Sequence, residues 1–220
     1  MTQHDEITTV RGPARIAADL PAGPVASLLV LGHGAGGDVD APDLLAVRDA
    51  VLSVGVGVVR VTQPYRVAGR RAPAPAGHLD EAWTAVLAVV REWRPGVPVL
   101  VGGRSSGARV ACRTAGAVGA AGIVALAFPL HPPGRPERSR AAELLTGLPT
   151  LVVNGDRDPF GVPDSSPGVT VVTRPGEVHD LRKDPAGTAA VVRDWLRGQG
   201  WADDRAAGVP ADSVAPPRAR

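Results

Sequence analysis

Gly103-Arg104-Ser105-Ser106-Gly107 sets a serine between two glycines. In this G-x-S-x-G spacing a sharp strand-to-helix turn lifts a hydroxyl clear of a sheet. A serine is a weak nucleophile at neutral pH and needs a base, itself oriented by an acid. On such a turn the partners follow in the order serine, acid, histidine. Histidines stand at positions 4, 33, 78, 131 and 179, and only His179 lies downstream of both the serine and a plausible acid. Taken singly, a loop histidine is more often just solvated; its place in Pro175-Gly176-Glu177-Val178-His179, after the last strand-like run, reverses that reading. For the acid, Asn154-Gly155-Asp156-Arg157-Asp158-Pro159 offers both Asp156 and Asp158. Ser105 is the central serine and so the nucleophile candidate, with the Ser106 amide as one donor to an oxyanion.

A second donor is expected from Gly32-His33-Gly34-Ala35-Gly36-Gly37, most directly the amide of Ala35. Loss of one such donor typically costs ~10²–10³ in turnover. His33 is expected to buttress this loop, and His33, Arg104 and His131 are the candidates for bordering a substrate. The same six residues also satisfy the dinucleotide fingerprint G-x-G-x-x-G, which requires a helix to open at the glycines and face a pyrophosphate. Here Asp38 and Asp40 bring negative charge, the helix waits until Pro42, and no acid closes the run Val59-Arg60-Val61-Thr62 to hold a ribose. Neither a Walker-type Gly-Lys-Ser/Thr nor a His-Glu-x-x-His pattern occurs. No cofactor and no metal are expected.

The elements that position these residues are legible from punctuation and period. Six short Val-rich runs recur, at Leu28–Leu31, Val56–Val61, Val97–Val101, Ile123–Phe128, Thr150–Val153 and Val169–Val172. Each is continuous and bounded by Gly or Pro, the pattern of a strand buried on both faces. Between them lie helical faces: Leu44, Val47 and Val51 after Pro42; Leu79, Trp83, Val86 and Val90; Ala108, Ala111, Cys112 and Ala115; and Ala189, Val192 and Leu196 after Asp184-Pro185. Strand and helix in alternation predict an α/β fold with a mostly parallel central sheet and helices on both faces. Ile7–Val10 and Arg15–Ala18, around Gly12-Pro13, predict an antiparallel edge hairpin. One domain is expected over residues 1–200. The segment 201–220, rich in Ala, Pro, Asp and Arg, is expected to be a disordered tail.

Composition narrows the classes further. Of the 220 residues 44% are hydrophobic but only 3% aromatic, so the core must be aliphatic. The net charge is +2, Lys183 is the only lysine, and the charges are interspersed. No basic block or aromatic stripe marks a nucleic-acid partner. Cys112 is the sole cysteine, which excludes an intrachain disulfide and a cysteine-rich zinc site. No apolar run approaches the ~20 residues that span a bilayer. The polar stretch Met1 to Glu6 does not read as a secretory signal, so the cytoplasm is the expected compartment.

Through the segments LVLGHGAGG, GGRSSGARVA, FPLHPPGRPE, LVVNGDRDPFG and GEVHDL, in that order, the chain resembles the α/β-hydrolase superfamily. It looks most like the compact dienelactone-hydrolase-like branch, which also includes testis-expressed and nonspecific-lethal-complex α/β-hydrolase-like proteins. The resemblance implies an eight-stranded-type sheet and serine-based hydrolysis of esters or other acyl compounds. It implies Ser105 as nucleophile, His179 as base, and Ala35 and Ser106 as oxyanion donors. Its G-x-x-D spacing favours Asp158 over Asp156 as the acid. The chain departs from relatives at Ser106, where a methionine or other bulky residue is common, and at Asp180, where a small or apolar one is expected.

Hydrolases of this kind usually insert a lid after the strand that ends here near Phe128. Only Pro129 to Leu148 is available, so a minimal lid and a shallow site for small ester or acyl substrates are expected. Arg104, Arg109, Arg135, Arg138 and Arg140 lie in segments that border such a site, which would attract an anionic group; the alternative is an ordinary solvated surface. A serine esterase or thioesterase is the leading reading. A non-catalytic binding or scaffold protein on the same fold is the other. Oligomeric state is not legible.

Overall fold

The six Val-rich runs have no polar face, so they are satisfied only inside a sheet covered on both sides. The structure, a computed structural model, describes residues 2–203. In chain order the elements are β1 (Thr2–Thr9), β2 (Gly12–Asp19), β3 (Ser27–Gly32), α1 (Pro42–Leu52), β4 (Val56–Thr62), α2 (Pro64–Val67), α3 (Ala76–Glu92), β5 (Val99–Arg104), α4 (Ser106–Thr114), β6 (Ile123–Leu126), β7 (Thr150–Gly155), β8 (Val169–Arg174) and α5 (Pro185–Gly198). A short 3₁₀ turn at Ala141–Leu144 lies between β6 and β7.

All eight strands form one sheet in the order β1-β2-β4-β3-β5-β6-β7-β8. β3 through β8 pair in parallel, β1 and β2 pair antiparallel as the expected edge hairpin, and β2 pairs antiparallel with β4. After β3 the chain moves to one side of it for β4, then returns to the other side for β5. Open α/β sheets bind ligands at such a switch point, outside the carboxyl ends of the strands. It is here that the loop after β3 meets the turn after β5.

Alternation along each strand splits the core in two. From β3, Leu28 and Val30 join Leu79, Trp83 and Val86 of α3 and Val110 and Ala111 of α4. Leu29 and Leu31 join Leu44, Val47 and Val51 of α1 and Ala189, Val192 and Leu196 of α5 on the opposite face. α1 opens with Pro42, and α5 opens with Pro185 behind Asp184, whose carboxylate accepts from the Gly187 amide at 2.8 Å. Among the described residues, no helix is long and apolar enough to cross a membrane.

The structure departs from the expected elements where side chains capture backbone. β6 stops at Leu126, short of Phe128, because Ala127 takes φ 46° and the Asn154 side chain binds both the Phe128 N–H and its carbonyl. β5 begins at Val99, since Val97 closes a turn onto Arg94. Arg60, inside β4 and 2% exposed, pairs with Asp19 at 3.3 Å and with Asp40, and donates to the Val39 carbonyl at 3.1 Å. This buried cation ties the far end of the loop after β3 to the sheet.

Residues 204–220 lie outside the described residues, so most of the segment expected to be a disordered tail does too. Its first three residues are held to the fold. The Trp201 carbonyl accepts from Ser27 Oγ at 2.7 Å, and the Asp203 amide donates to the Val54 carbonyl at 2.8 Å. The Trp201 ring meets Trp195 edge-on at 5.4 Å and fills the space where any side chain at position 122 would begin.

Close strand packing sets a further demand at Gly102 in β5, where an added Cβ would overlap the Val124 carbonyl of β6 and crowd Leu31. Gly102→Ala is therefore expected to destabilise by about 2 kcal/mol, lowering Tm by about 4–8 °C in a domain of this size. Differential scanning calorimetry checks it; an unchanged Tm would mean that the two strands separate without cost.

Candidate active site

Ser105 sits between β5 and α4 with φ 53° and ψ −109°, a backbone region that side chains rarely adopt. The surroundings hold it there. Its amide donates to the Leu126 carbonyl at 2.9 Å, and its carbonyl accepts from the Arg109 amide at 3.2 Å. A Cβ at either Gly103 or Gly107 would overlap the Gly32 carbonyl, so both glycines of the motif are required by the close approach of β3. The turn thus presses onto the loop that follows β3, and Gly34 packs beside Ser105.

The candidate acid and base stand on the loops after β7 and β8. His179 Nε2 lies 2.8 Å from Ser105 Oγ, and His179 Nδ1 lies 2.8 Å from Asp158 Oδ2. The Asp158 carboxylate is fully buried and also accepts from the Phe160 amide at 2.9 Å. An ionised carboxylate only accepts, so the Nδ1 proton points at Asp158, leaving Nε2 to accept from the serine hydroxyl. The Phe160 ring stacks on the imidazole at 4.1 Å and 30°, fixing its plane. Asp156, the competing acid, is committed elsewhere: its carboxylate accepts from the Gly176 amide at 2.7 Å and braces the turn leading to His179.

Two residues that sequence reasoning did not single out hold these loops. Asn154, fully buried at the end of β7, accepts from the Phe128 amide at 2.8 Å. It donates to the Phe128 carbonyl at 2.9 Å, to the Gly161 carbonyl at 3.2 Å and, at 3.5 Å, to Asp158 Oδ2. Glu177, 2% exposed, accepts from the backbone amides of Lys183 and Asp184, closing the loop around His179. Gly155 packs so tightly on the Glu177 carbonyl that a Cβ there would overlap it. A polar residue at the end of an apolar run, Asn154, was the only available sign.

The oxyanion candidates are Ser106 and Ala35. Ser106 is the first residue of α4, where an amide has no carbonyl one turn behind it within the helix. Ala35 lies in the loop turned by the Gly37 amide bonding the Gly34 carbonyl at 3.0 Å. His33 buttresses that loop from within. Its Nδ1 lies 2.8 Å from the Gly34 carbonyl, its Nε2 accepts from the Gln63 amide at 3.1 Å, and the residue is 3% exposed. Burial and the nearby Arg66 charge pull its pKa below the ordinary histidine value, against the opposing pull of the Gly34 bond.

The structure does not gather the three candidate substrate contacts into one surface. Both nitrogens of His33 are engaged inside the protein. Arg104 turns to α1, where its Nε lies 3.4 Å from a carboxylate oxygen of the fully buried Asp43. Burial pushes the Asp43 carboxyl above its ordinary pKa, and Arg104 opposes that rise. His131 folds onto its own chain, Nδ1 2.9 Å from the Pro132 carbonyl, and packs on Gly161 of the acid-bearing loop. Nor do the arginines form one free cluster: Arg109 is clamped by both oxygens of Glu143. Cys112 is a core thiol, its pKa pushed up to about 12 chiefly by burial.

With this geometry in place, the comparisons with known proteins agree on the class. A family described as "Alpha/beta hydrolase domain" matches residues 25–175, and the chain belongs to that family. No curated protein matches it significantly in sequence. Among solved structures it is similar to a lidless α/β serine hydrolase of Xanthomonas campestris, at 22% identity and TM-score 0.72, over 90% of this chain and 94% of that one. It is also similar to an α/β serine hydrolase homologue of Coxiella burnetii, at 21% identity and TM-score 0.71, over 90% and 98% of the two chains. A third is the esterase Est1E of Butyrivibrio proteoclasticus, at 16% identity and TM-score 0.71, over 89% and 98%. The α/β-hydrolase fold is thereby established.

The depressed His33 pKa has a readable sign. The folded protein holds His33 neutral to a lower pH than the unfolded chain, which takes up a proton near pH 6.5. The contribution is therefore fully present above that pH and lost as pH falls through it towards the folded pKa. Urea unfolding at about pH 7.5 and about pH 5 should show a smaller loss of stability on acidification in His33→Asn than in the wild type. Equal losses would place the acid sensitivity elsewhere.

Proposed function

We propose that the protein is a serine hydrolase that cleaves small carboxylic or thio-esters through an acyl-enzyme. The observation that carries this reading is the unbroken chain from Ser105 Oγ through His179 to buried Asp158, with 2.8 Å at both links. In the first step Ser105 Oγ bonds to the acyl carbon while His179 Nε2 takes the hydroxyl proton. Asp158 holds the imidazole in the productive tautomer and stabilises the imidazolium. The carbonyl oxygen, now negative, is met by the backbone amides of Ala35 and Ser106. The bond to the leaving alcohol or thiol then breaks, and that group departs with the proton from His179. Water, activated by the same histidine, attacks the acyl-serine and releases the acid.

The strained backbone at Ser105 supports this reading, because such conformations persist only where the surroundings enforce them and cluster at active sites. The short segment between β6 and β7 gives no extended apolar cover, which favours small acyl groups over long chains. Relatives in fold include proteins described as a lidless serine hydrolase and as an esterase. The site needs no cofactor for this chemistry.

A fluorophosphonate probe, read by intact and peptide mass spectrometry, is expected to modify Ser105 and to leave Ser105→Ala unmodified. Absence of labelling on folded protein would leave a scaffold role as the better reading. Asp158→Asn should lower kcat by about 10⁴, since the wrong imidazole tautomer is then favoured. Asp156→Asn should cost far less, because that carboxylate only braces a turn. Steady-state kinetics on a short-chain ester separates them, and a reversed order would assign the acid to Asp156.

A further inference from the structure

Asp158-Pro159-Phe160-Gly161 has the residue pattern of a tight turn, with proline in second place and glycine in fourth. The Gly161 amide closes it on the Asp158 carbonyl at 3.0 Å, and Gly161 takes φ 82°. Inside the turn the Phe160 amide donates to Asp158 Oδ1 at 2.9 Å, the side-chain bond that aspartate favours in such places. From outside, the His131 amide donates to the Phe160 carbonyl at 3.0 Å, and Asn154 Nδ2 donates to the Gly161 carbonyl at 3.2 Å. Both polar groups of the Phe160 backbone are therefore engaged, and its ring is presented from a fixed frame.

That ring lies against one face of the His179 imidazole, with centroids 4.1 Å apart and planes at 30°. The edge of the imidazole is already in use, Nδ1 by Asp158 and Nε2 by Ser105, each at 2.8 Å. Phe160 thus meets the base on a side where neither nitrogen bonds. The face of an aromatic ring is negative and attracts a cation within about 6 Å of its centroid, more strongly where water is displaced. The His179 side chain is only 20% exposed. While Nε2 accepts from the serine the imidazole is neutral and gains packing alone. Once Nε2 holds the proton the same contact joins a cation to a π face.

Resting on the hydrolase reading above, we infer that Phe160 is a positioning residue for the base and that its ring stabilises the imidazolium formed when His179 takes a proton. In acylation that proton comes from Ser105 Oγ and leaves with the alcohol or thiol. In deacylation it comes from water and returns to Ser105 Oγ as the acyl bond breaks. The cation arises in both steps and is absent from the ground state, so the ring acts on turnover and not on substrate affinity. Its share is smaller than that of the carboxylate. Draining the ring of π density should cost about three- to fivefold, against the ~10⁴ expected when the Asp158 carboxylate is replaced.

The test replaces Phe160 by mono-, di- and trifluorinated phenylalanine, which keep the shape of the ring while weakening its negative face step by step. Two rates are followed: kcat on a short-chain ester, and the rate at which a fluorophosphonate labels Ser105, which requires attack alone. Both should fall stepwise to about a third or a fifth in the trifluorinated protein, with KM unchanged. Phe160→Leu, an apolar contact without a π face, should fall at least as far, and Phe160→Tyr, which keeps the face, should recover most of the loss. Thermal unfolding establishes that each variant is folded. Rates that stay constant across the fluorinated series overturn this inference and leave the hydrolase reading standing, with the ring a spacer. A rise in KM with both rates unchanged also overturns it, because the ring then touches substrate and not the charged base. No turnover and no labelling of folded wild-type protein overturns both readings.

Discussion

The approach of β5 to β3 at their carboxyl ends sets the terms for everything around it. Gly103 and Gly107 lie against the Gly32 carbonyl so closely that neither position has room for a side chain. This contact forces the chain to turn within one residue, and Ser105 bears the turn in its backbone at φ 53°. The same contact brings Gly34 of the loop after β3 against Ser105, so the candidate nucleophile and that loop are positioned by a single packing event. Such precision requires a rigid frame, and the parallel sheet with helices on both faces supplies it.

The other half of the site depends on polar fastening instead. Asp158 and His179 stand on loops after β7 and β8, which have few apolar groups to bury. Asn154 and Glu177 stitch those loops by backbone hydrogen bonds, and Gly155 lets them touch. A buried amide that uses both its oxygen and its nitrogen is well suited to this, because it fixes direction as well as distance. The imidazole is then trapped between Phe160 and Asp158.

Much of this was readable in the residues, and the reasons are physical. Val-rich runs bounded by glycine have one stable use, so the parallel strands stood out, and Pro42 and Asp184-Pro185 marked helix starts. Ser105, Asp158 and His179 could be put forward together because their order along the chain matches strand order in the fold, and the structure brings their side chains into one hydrogen-bonded row. Contacts between residues distant in sequence were not readable. Asn154 reads as one polar residue after valines, Glu177 as one charge in a loop, and Arg104 as a basic neighbour of the serine; nothing local reveals that Asp43 draws it away.

Beyond the site, the seat of Trp201 against Gly122 joins the smallest side chain in the protein to the largest. In evolutionary terms the two positions are not independent. A lineage that gains any side chain at 122 must lose the indole at 201, or first move the segment that carries it. A lineage that loses the indole eases the constraint at 122, where the Pro149 carbonyl still stands close. Among related sequences the pair should therefore change together or stay together, although eighty residues or so separate them and neither touches a reacting group.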